Sequence, residues 1–115
     1  MEEKPEYIVD ITPEGEIYYF QLLEYLYNTH SLKNADRKPE EIMEMALSLA
    51  KNPYRGRIEE KLRFLKKEHR FLIYSYTPRK TIKIIYFIDE KLKKVYITDF
   101  FPTEKDDATI SGRHQ

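Results

Sequence analysis

Residues 69–101, HRFLIYSYTPRKTIKIIYFIDEKLKKVYITDFF, constrain the fold more than any other part of the chain. Runs of β-branched and aromatic residues are interrupted twice, by Thr77-Pro78-Arg79-Lys80 and by Asp89 to Lys94. That pattern predicts three consecutive antiparallel strands joined by two charged turns. The same region is the basic part of the chain: residues 61–94 hold 11 Lys/Arg and 3 Asp/Glu, a net of +8. The whole is neutral, so the remainder carries −8. A basic sheet face is one physical route to a phosphate-rich partner.

Pairing Tyr76 with Thr81 across the first turn sets Tyr74 opposite Lys83 and Arg70 opposite Phe87. One face then carries Phe71, Ile73, Ile82, Ile84, Tyr86, Ile88, Val95 and Ile97, the expected core face. The other carries Arg70, Leu72, Tyr74, Tyr76, Lys83, Ile85, Phe87, Tyr96, Thr98 and Phe100. This second face is too apolar for bare solvent and too charged for a core. A slip of one residue exchanges the two faces.

Upstream, Tyr7 to Ile11 alternates as a short strand, and Thr12-Pro13-Glu14 is a helix start with Thr as N-cap and Pro at N1. The helix is expected to run to about Asn28, with Tyr19, Leu22, Leu23 and Leu26 on one stripe. Ile17, Phe20 and Tyr27 widen its apolar surface, so it is buried on two sides or meets a partner. Residues 29–38 form a polar link. Pro39-Glu40-Glu41 starts a second helix, with Ile42, Met45, Ala46 and Leu49 inward, that ends at Asn52-Pro53. Pro53-Tyr54-Arg55-Gly56 is a turn. Residues 57–68 fit a loop, a short helix or an extended lead-in. A single domain over 1–107 is expected, with residues 108–115 a disordered tail.

The chain has no cysteine, which excludes disulfides, thiolate metal sites and cysteine nucleophiles and fits a reducing compartment. MEEKPEYIVD lacks the apolar run of a signal peptide, and no segment approaches the ~18 apolar residues of a membrane span. The expectation is a cytoplasmic protein without metal or cofactor.

The order strand, helix hairpin, antiparallel sheet resembles the RelE/ParE superfamily of toxin–antitoxin toxins. YIVDITPEGE is similar to its first strand and Thr-Pro helix start, and LAKNPYRG to the end of its second helix. HRFLIYSY…TIKIIYFI is similar to its paired strands, with Lys83-Ile84-Ile85-Tyr86 as the basic-aliphatic-aliphatic-Tyr pattern. The resemblance spans about residues 7–103. It implies an α+β fold: an N-terminal strand and a two-helix antiparallel hairpin packed on a small, mainly antiparallel sheet of about four strands. It also implies a growth-arresting toxin held inactive by a cognate antitoxin. Family members either poison DNA gyrase, as ParE-like proteins do, or cut mRNA on the ribosome, as RelE-like proteins do.

Metal-free RNA cleavage needs a base, an acid and a cation for the phosphorane. Lys83 stands where RelE-like ribonucleases place an Arg, losing the bidentate fork. Arg70 is a second cation candidate, and Glu59 or Glu60 resembles in position the general base of some members. His69 and His114 are candidate acids. Tyr74, Tyr96 and Phe100 are candidates for contact with the target, as stacking or packing residues. Tyr19, Leu23, Leu26 and Tyr27 are the expected antitoxin contacts. Each also has a plain structural reading as a solvated strand residue or a packing residue. The neutral net charge and Asp99 near the end of the last strand weigh against RNA, and the apolar hairpin is closer to the ParE-like branch. A ParE-like toxin is favoured over the mRNA endoribonuclease. The further alternatives are an inactive partner-binding module and, last, a general nucleic-acid-binding domain.

Overall fold

The computed structural model describes residues 6–29, 38–105 and 108–114. Strand β1 (Ile8–Ile11) leads into helix α1 (Pro13–Thr29), and helix α2 (Lys38–Leu47) follows. Three 3-10 turns and a two-residue strand, β2 (Arg57–Ile58), occupy the stretch to residue 62. Then come β3 (His69–Thr77), β4 (Lys80–Asp89), β5 (Lys94–Pro102) and helix α3 (Ala108–Arg113). The expected polar link falls largely on residues 30–37, outside the described residues. Among the described residues no helix is long and apolar enough to cross a membrane.

The helix starts are those that the residues dictate. Thr12 Oγ1 accepts from the Gly15 amide at 3.0 Å, and the Thr12 carbonyl accepts from Glu16 at 2.9 Å. These bonds satisfy amides that a helix start otherwise leaves orphaned. α2 stops earlier than expected, at Leu47, and a 3-10 turn over Ser48–Ala50 carries the chain on.

The sheet has five strands in the order β1-β5-β4-β3-β2, one more than anticipated because the 57–68 stretch supplies β2. β1 runs parallel to β5, and the other pairs are antiparallel. The first turn closes where the spacing places it, at Thr77 and Lys80, with Thr77 Oγ1 accepting from the Lys80 amide at 3.0 Å. One residue later the register breaks: Ser75, not Tyr76, pairs with Thr81. Tyr74 therefore faces Ile82, Ile73 faces Lys83, and Arg70 faces Tyr86. A second irregularity, at Thr98, pairs Tyr86 with Ile97 but Ile85 with Asp99 and Lys83 with Phe101.

Each bulge inserts one residue and moves everything beyond it to the other face. The expected face lists are corrected accordingly. Leu72, Tyr74, Tyr76 and Phe100 join Ile82, Ile84, Tyr86, Val95 and Ile97 against the helices. Phe71 and Ile73 move to the other face, and so do Asp99 and Phe101. The helix-side core also buries Leu22, Leu26, Ile42, Ala46 and Leu49.

Within the expected tail, residues Ala108–Arg113 form helix α3. Ile110 is fully buried and packs with Leu62, Ile85 and Phe101 into a second, smaller core on the far face of the sheet. The polar composition of the segment hid this: one apolar residue suffices to dock one turn.

Candidate functional site

The site candidates sort by which side of the sheet the bulges leave them on. Arg70 and Lys83, expected on one face of the sheet, lie on opposite faces. Arg70 donates to the carbonyls of Gly56 (2.8 Å) and Tyr54 (3.2 Å) and pairs with Glu68, fixing the turn that precedes β2. Tyr86, the last residue of the basic-aliphatic-aliphatic-Tyr pattern, is buried beside that turn. Its hydroxyl donates to the Pro53 carbonyl at 2.6 Å and accepts from the Gly56 amide at 3.1 Å. A Cβ on Gly56 would lie 2.3 Å from that hydroxyl, so glycine is required there.

Tyr74 is buried on the helix side, where its hydroxyl bonds Glu41 and burial raises its pKa. Phe100 is fully buried against Tyr19, ring centroids 5.0 Å apart. Neither is placed to meet a target on the face that carries Lys83. Tyr96 is, and it stacks on Phe87 with centroids 5.1 Å apart.

On the far face Lys83 Nζ lies 2.8 Å from Glu59 Oε2 and 4.3 Å above the Phe71 ring. Both side chains of this pair are largely buried, 13% and 4% exposed. Glu59 also caps the turn that follows it, accepting from the Lys61 amide at 3.2 Å. The carboxylate offered as a base is thus committed to the cation offered for phosphate. Glu60 is exposed and pairs with Arg63, which lowers its pKa.

Beyond the small core formed around Ile110, the structure brings together two residues that the sequence sets 45 positions apart. His69, at the start of β3, and His114, just past α3, meet edge to face with ring centroids 5.8 Å apart. His69 Nδ1 lies 3.1 Å from the Lys67 carbonyl, which can only accept, so the proton sits on Nδ1 and Nε2 keeps its lone pair. By the same reasoning His114 Nδ1 donates to the Ile110 carbonyl at 2.9 Å. Its Nε2 lies 3.0 Å from Thr98 Oγ1, the bulge residue of β5. Burial lowers the pKa of both imidazoles, so both are neutral near pH 7.

Asp99 lies behind them, fully buried, with Oδ1 2.6 Å from Arg113. Burial raises its carboxyl to about 7, and Arg113 opposes that only in part. Asp99 Oδ2 and Arg113 Nε are both buried without a hydrogen-bond partner. Arg113 stacks over Tyr18 of α1 at 3.8 Å, and the Tyr18 hydroxyl donates to its carbonyl at 3.1 Å. A cleft of about 420 Å³ opens beside the histidines, lined by Lys66, Lys67, Phe87, Thr98, Arg113 and the start of α1. Among the described residues no cluster of metal-ligand type forms.

Sequence reasoning named both histidines but not their meeting, because His114 falls in a segment without periodicity. Chemically, the cluster offers a tautomer-fixed base in His69 and a second imidazole coupled through Thr98 to the sheet.

On α1, Leu26 is 1% exposed and belongs to the core, not to the outward surface expected of an antitoxin contact. Tyr19 is mostly occupied by Phe100. The outward stripe consists of Ile17 (56% exposed), Phe20 (62%) and Tyr27 (41%), with Leu23 half-buried beneath it. Spacings of three and seven residues set them on one helix face.

The fold matches a chain in the crystal structure of the toxin–antitoxin complex RelBE2 from Mycobacterium tuberculosis. The TM-score is 0.55 and the identity 19%, over 87% of this chain and 94% of that one. The fold is RelE/ParE-like. No protein-family model matches the sequence, and no curated protein matches it.

Proposed function

We propose that this chain is the toxin of a type II toxin–antitoxin pair, neutralised by an antitoxin segment that lies along α1. The observation that carries the reading is the exposed apolar stripe of Ile17, Phe20 and Tyr27 on a RelE/ParE-like fold. An amphipathic partner helix seated in a groove is the mode that suits such a stripe. The fold likeness to a toxin–antitoxin complex supports the same partner class.

A ParE-like action on gyrase, without hydrolysis, fits the far face better than a RelE-like site built on Lys83. Lys83 is held by Glu59, Arg70 lies across the sheet, and Glu60 is turned outward. A second reading, mRNA cleavage, is favoured by one observation: His69 presents an unprotonated Nε2 beside a basic cleft.

The test is unopposed expression, followed by two assays on the purified chain. Growth arrest with intact message in a translating extract, and gyrase trapped on cleaved DNA, is the expected result. New message ends that appear only during translation would replace the gyrase reading with the ribonuclease one. Normal growth at full expression would sink the toxin reading and leave a partner-binding module.

A further inference from the structure

We propose that the partner segment seated on α1 is a cationic amphipathic helix, with Lys or Arg flanking its apolar stripe. That this partner is an antitoxin rests on the toxin reading. The sign of its charge rests on α1 alone and is measured on the isolated chain.

The outward stripe of α1 is rimmed by acids. Glu16 and Glu24 lie four residues before and four residues after Phe20, one turn to either side on the same helix face. Both are exposed, and neither makes an ion pair among the described residues. Glu24 lines a groove of about 600 Å³ together with Ile17, Phe20, Leu23 and Tyr27. The rest of its polar lining, Gln21 and Asn28, is uncharged.

Over its whole length α1 has three Glu and no Lys or Arg. Glu14 and Glu16 stand in the first turn, where the helix dipole favours an acid, so folding accounts for both. It does not account for Glu24, which lies well inside the helix. Nor does it account for the last turn, where the dipole favours a base and the chain places none. Helix α2 continues the same sign: the two helices together hold six Glu and one Lys. The basic residues are gathered elsewhere, in the +8 stretch over residues 61–94.

Charge complementarity selects among the possible occupants. A second copy docked helix to helix about a two-fold axis through Phe20 sets Glu16 of one chain against Glu24 of the other. No other register of α1 on α1 helps, because the helix has no cation to offer. A partner helix with acidic flanks meets the same repulsion. A cationic helix gains at both carboxylates, while the aromatic and aliphatic stripe contributes most of the affinity. The eight residues from Glu16 to Glu24 rise about 12 Å, so the partner needs cations seven or eight residues apart along about three turns.

The experiment is a fluorescence-anisotropy titration of the full chain with two synthetic amphipathic helices of about 18 residues, long enough to hold helical structure. Both carry the same Leu stripe; one has Lys at the flanking positions and the other Glu. The Lys peptide should bind about tenfold tighter at low salt, and the gap should close as salt is raised. Glu16→Lys with Glu24→Lys, both at exposed positions, should reverse the order of the two peptides with the circular dichroism spectrum unchanged. Phe20→Ala should weaken the Lys peptide about tenfold. Equal affinities for the wild-type chain would overturn the inference. A preference that survives the double substitution, or binding indifferent to Phe20→Ala, would do the same. So would a chain that sediments as a dimer and becomes monomeric on Phe20→Ala, since the stripe would then belong to a second copy. Normal growth on unopposed expression, with the peptide preference intact, would sink the toxin reading and leave the cationic partner standing.

Discussion

Against α1 and α2 the sheet presents Ile82, Ile84, Tyr86, Val95, Ile97 and Phe100, each fully buried. The polar group among them, the Tyr86 hydroxyl, has both a donor and an acceptor. The opposite face closes over a much smaller apolar patch, Leu62, Ile85, Phe101 and Ile110. Around that patch it buries a Lys–Glu pair, an aspartate whose carboxyl is raised to about 7, and two histidines. Buried charge of this kind stabilises a fold poorly. One face therefore carries the stability, and the other carries the titratable chemistry that a candidate site needs.

The comparison is broken most directly by emptying each core in turn. Ile84→Ala should cost about 4 kcal/mol in chemical denaturation, and Ile110→Ala about 2 kcal/mol, because a helix of six residues can settle into the gap. Hydrogen exchange should show the Ile110 variant loosening α3 while β4 stays protected. Equal costs would mean that the two faces form one cooperative core.

Lys83→Glu places two carboxylates in a largely buried space and should cost roughly 3 kcal/mol. Adding Glu59→Lys should recover most of the loss; if it does not, the ion pair is incidental to the far face.

Asp99→Asn sharpens the comparison through pH. The folded carboxyl titrates at about 7 against an ordinary 3.8, so the native state holds a proton that the unfolded chain releases. The Asp99 contribution to stability is therefore greatest below about 4 and falls as pH rises towards 7. The histidines, lowered by burial, act in the opposite sense in both proteins: native stability falls as pH drops below about 6.5. The difference in Tm between wild type and Asp99→Asn should therefore shift against the wild type from pH 4 to 7. A difference that stays constant across the window would place Asp99 in an ordinary ion pair.

Phe20→Glu, on a surface belonging to neither core, should leave stability within about 0.5 kcal/mol. The same change should weaken a bound antitoxin by about 2 kcal/mol in a calorimetric titration. A large loss of stability would mean that the stripe on α1 is a packing surface.

Local chemistry made much of this architecture legible. Thr12-Pro13 starts α1, the β-branched runs give three strands, and the turn closes at Thr77 and Lys80 where the spacing predicts. The site was legible only as a set of names. Which candidates share a face depends on the bulges at Tyr76 and Thr98, and a side-chain period of two makes a single inserted residue decisive. Nothing local marks either position. The separation of Arg70 from Lys83, the burial of Tyr74 and Phe100, and the arrival of Asp99 beside the histidines all follow from those two insertions.

The sequence by itself determined the order of β1, α1, α2 and the three long strands, the helix starts and the basic character of residues 61–94, because each rests on neighbours within a few positions. Only the tertiary structure decided the faces and the meeting of His69 with His114. It also decided the docking of α3 through Ile110, because those depend on register and on contacts between distant residues, to which no local pattern is sensitive.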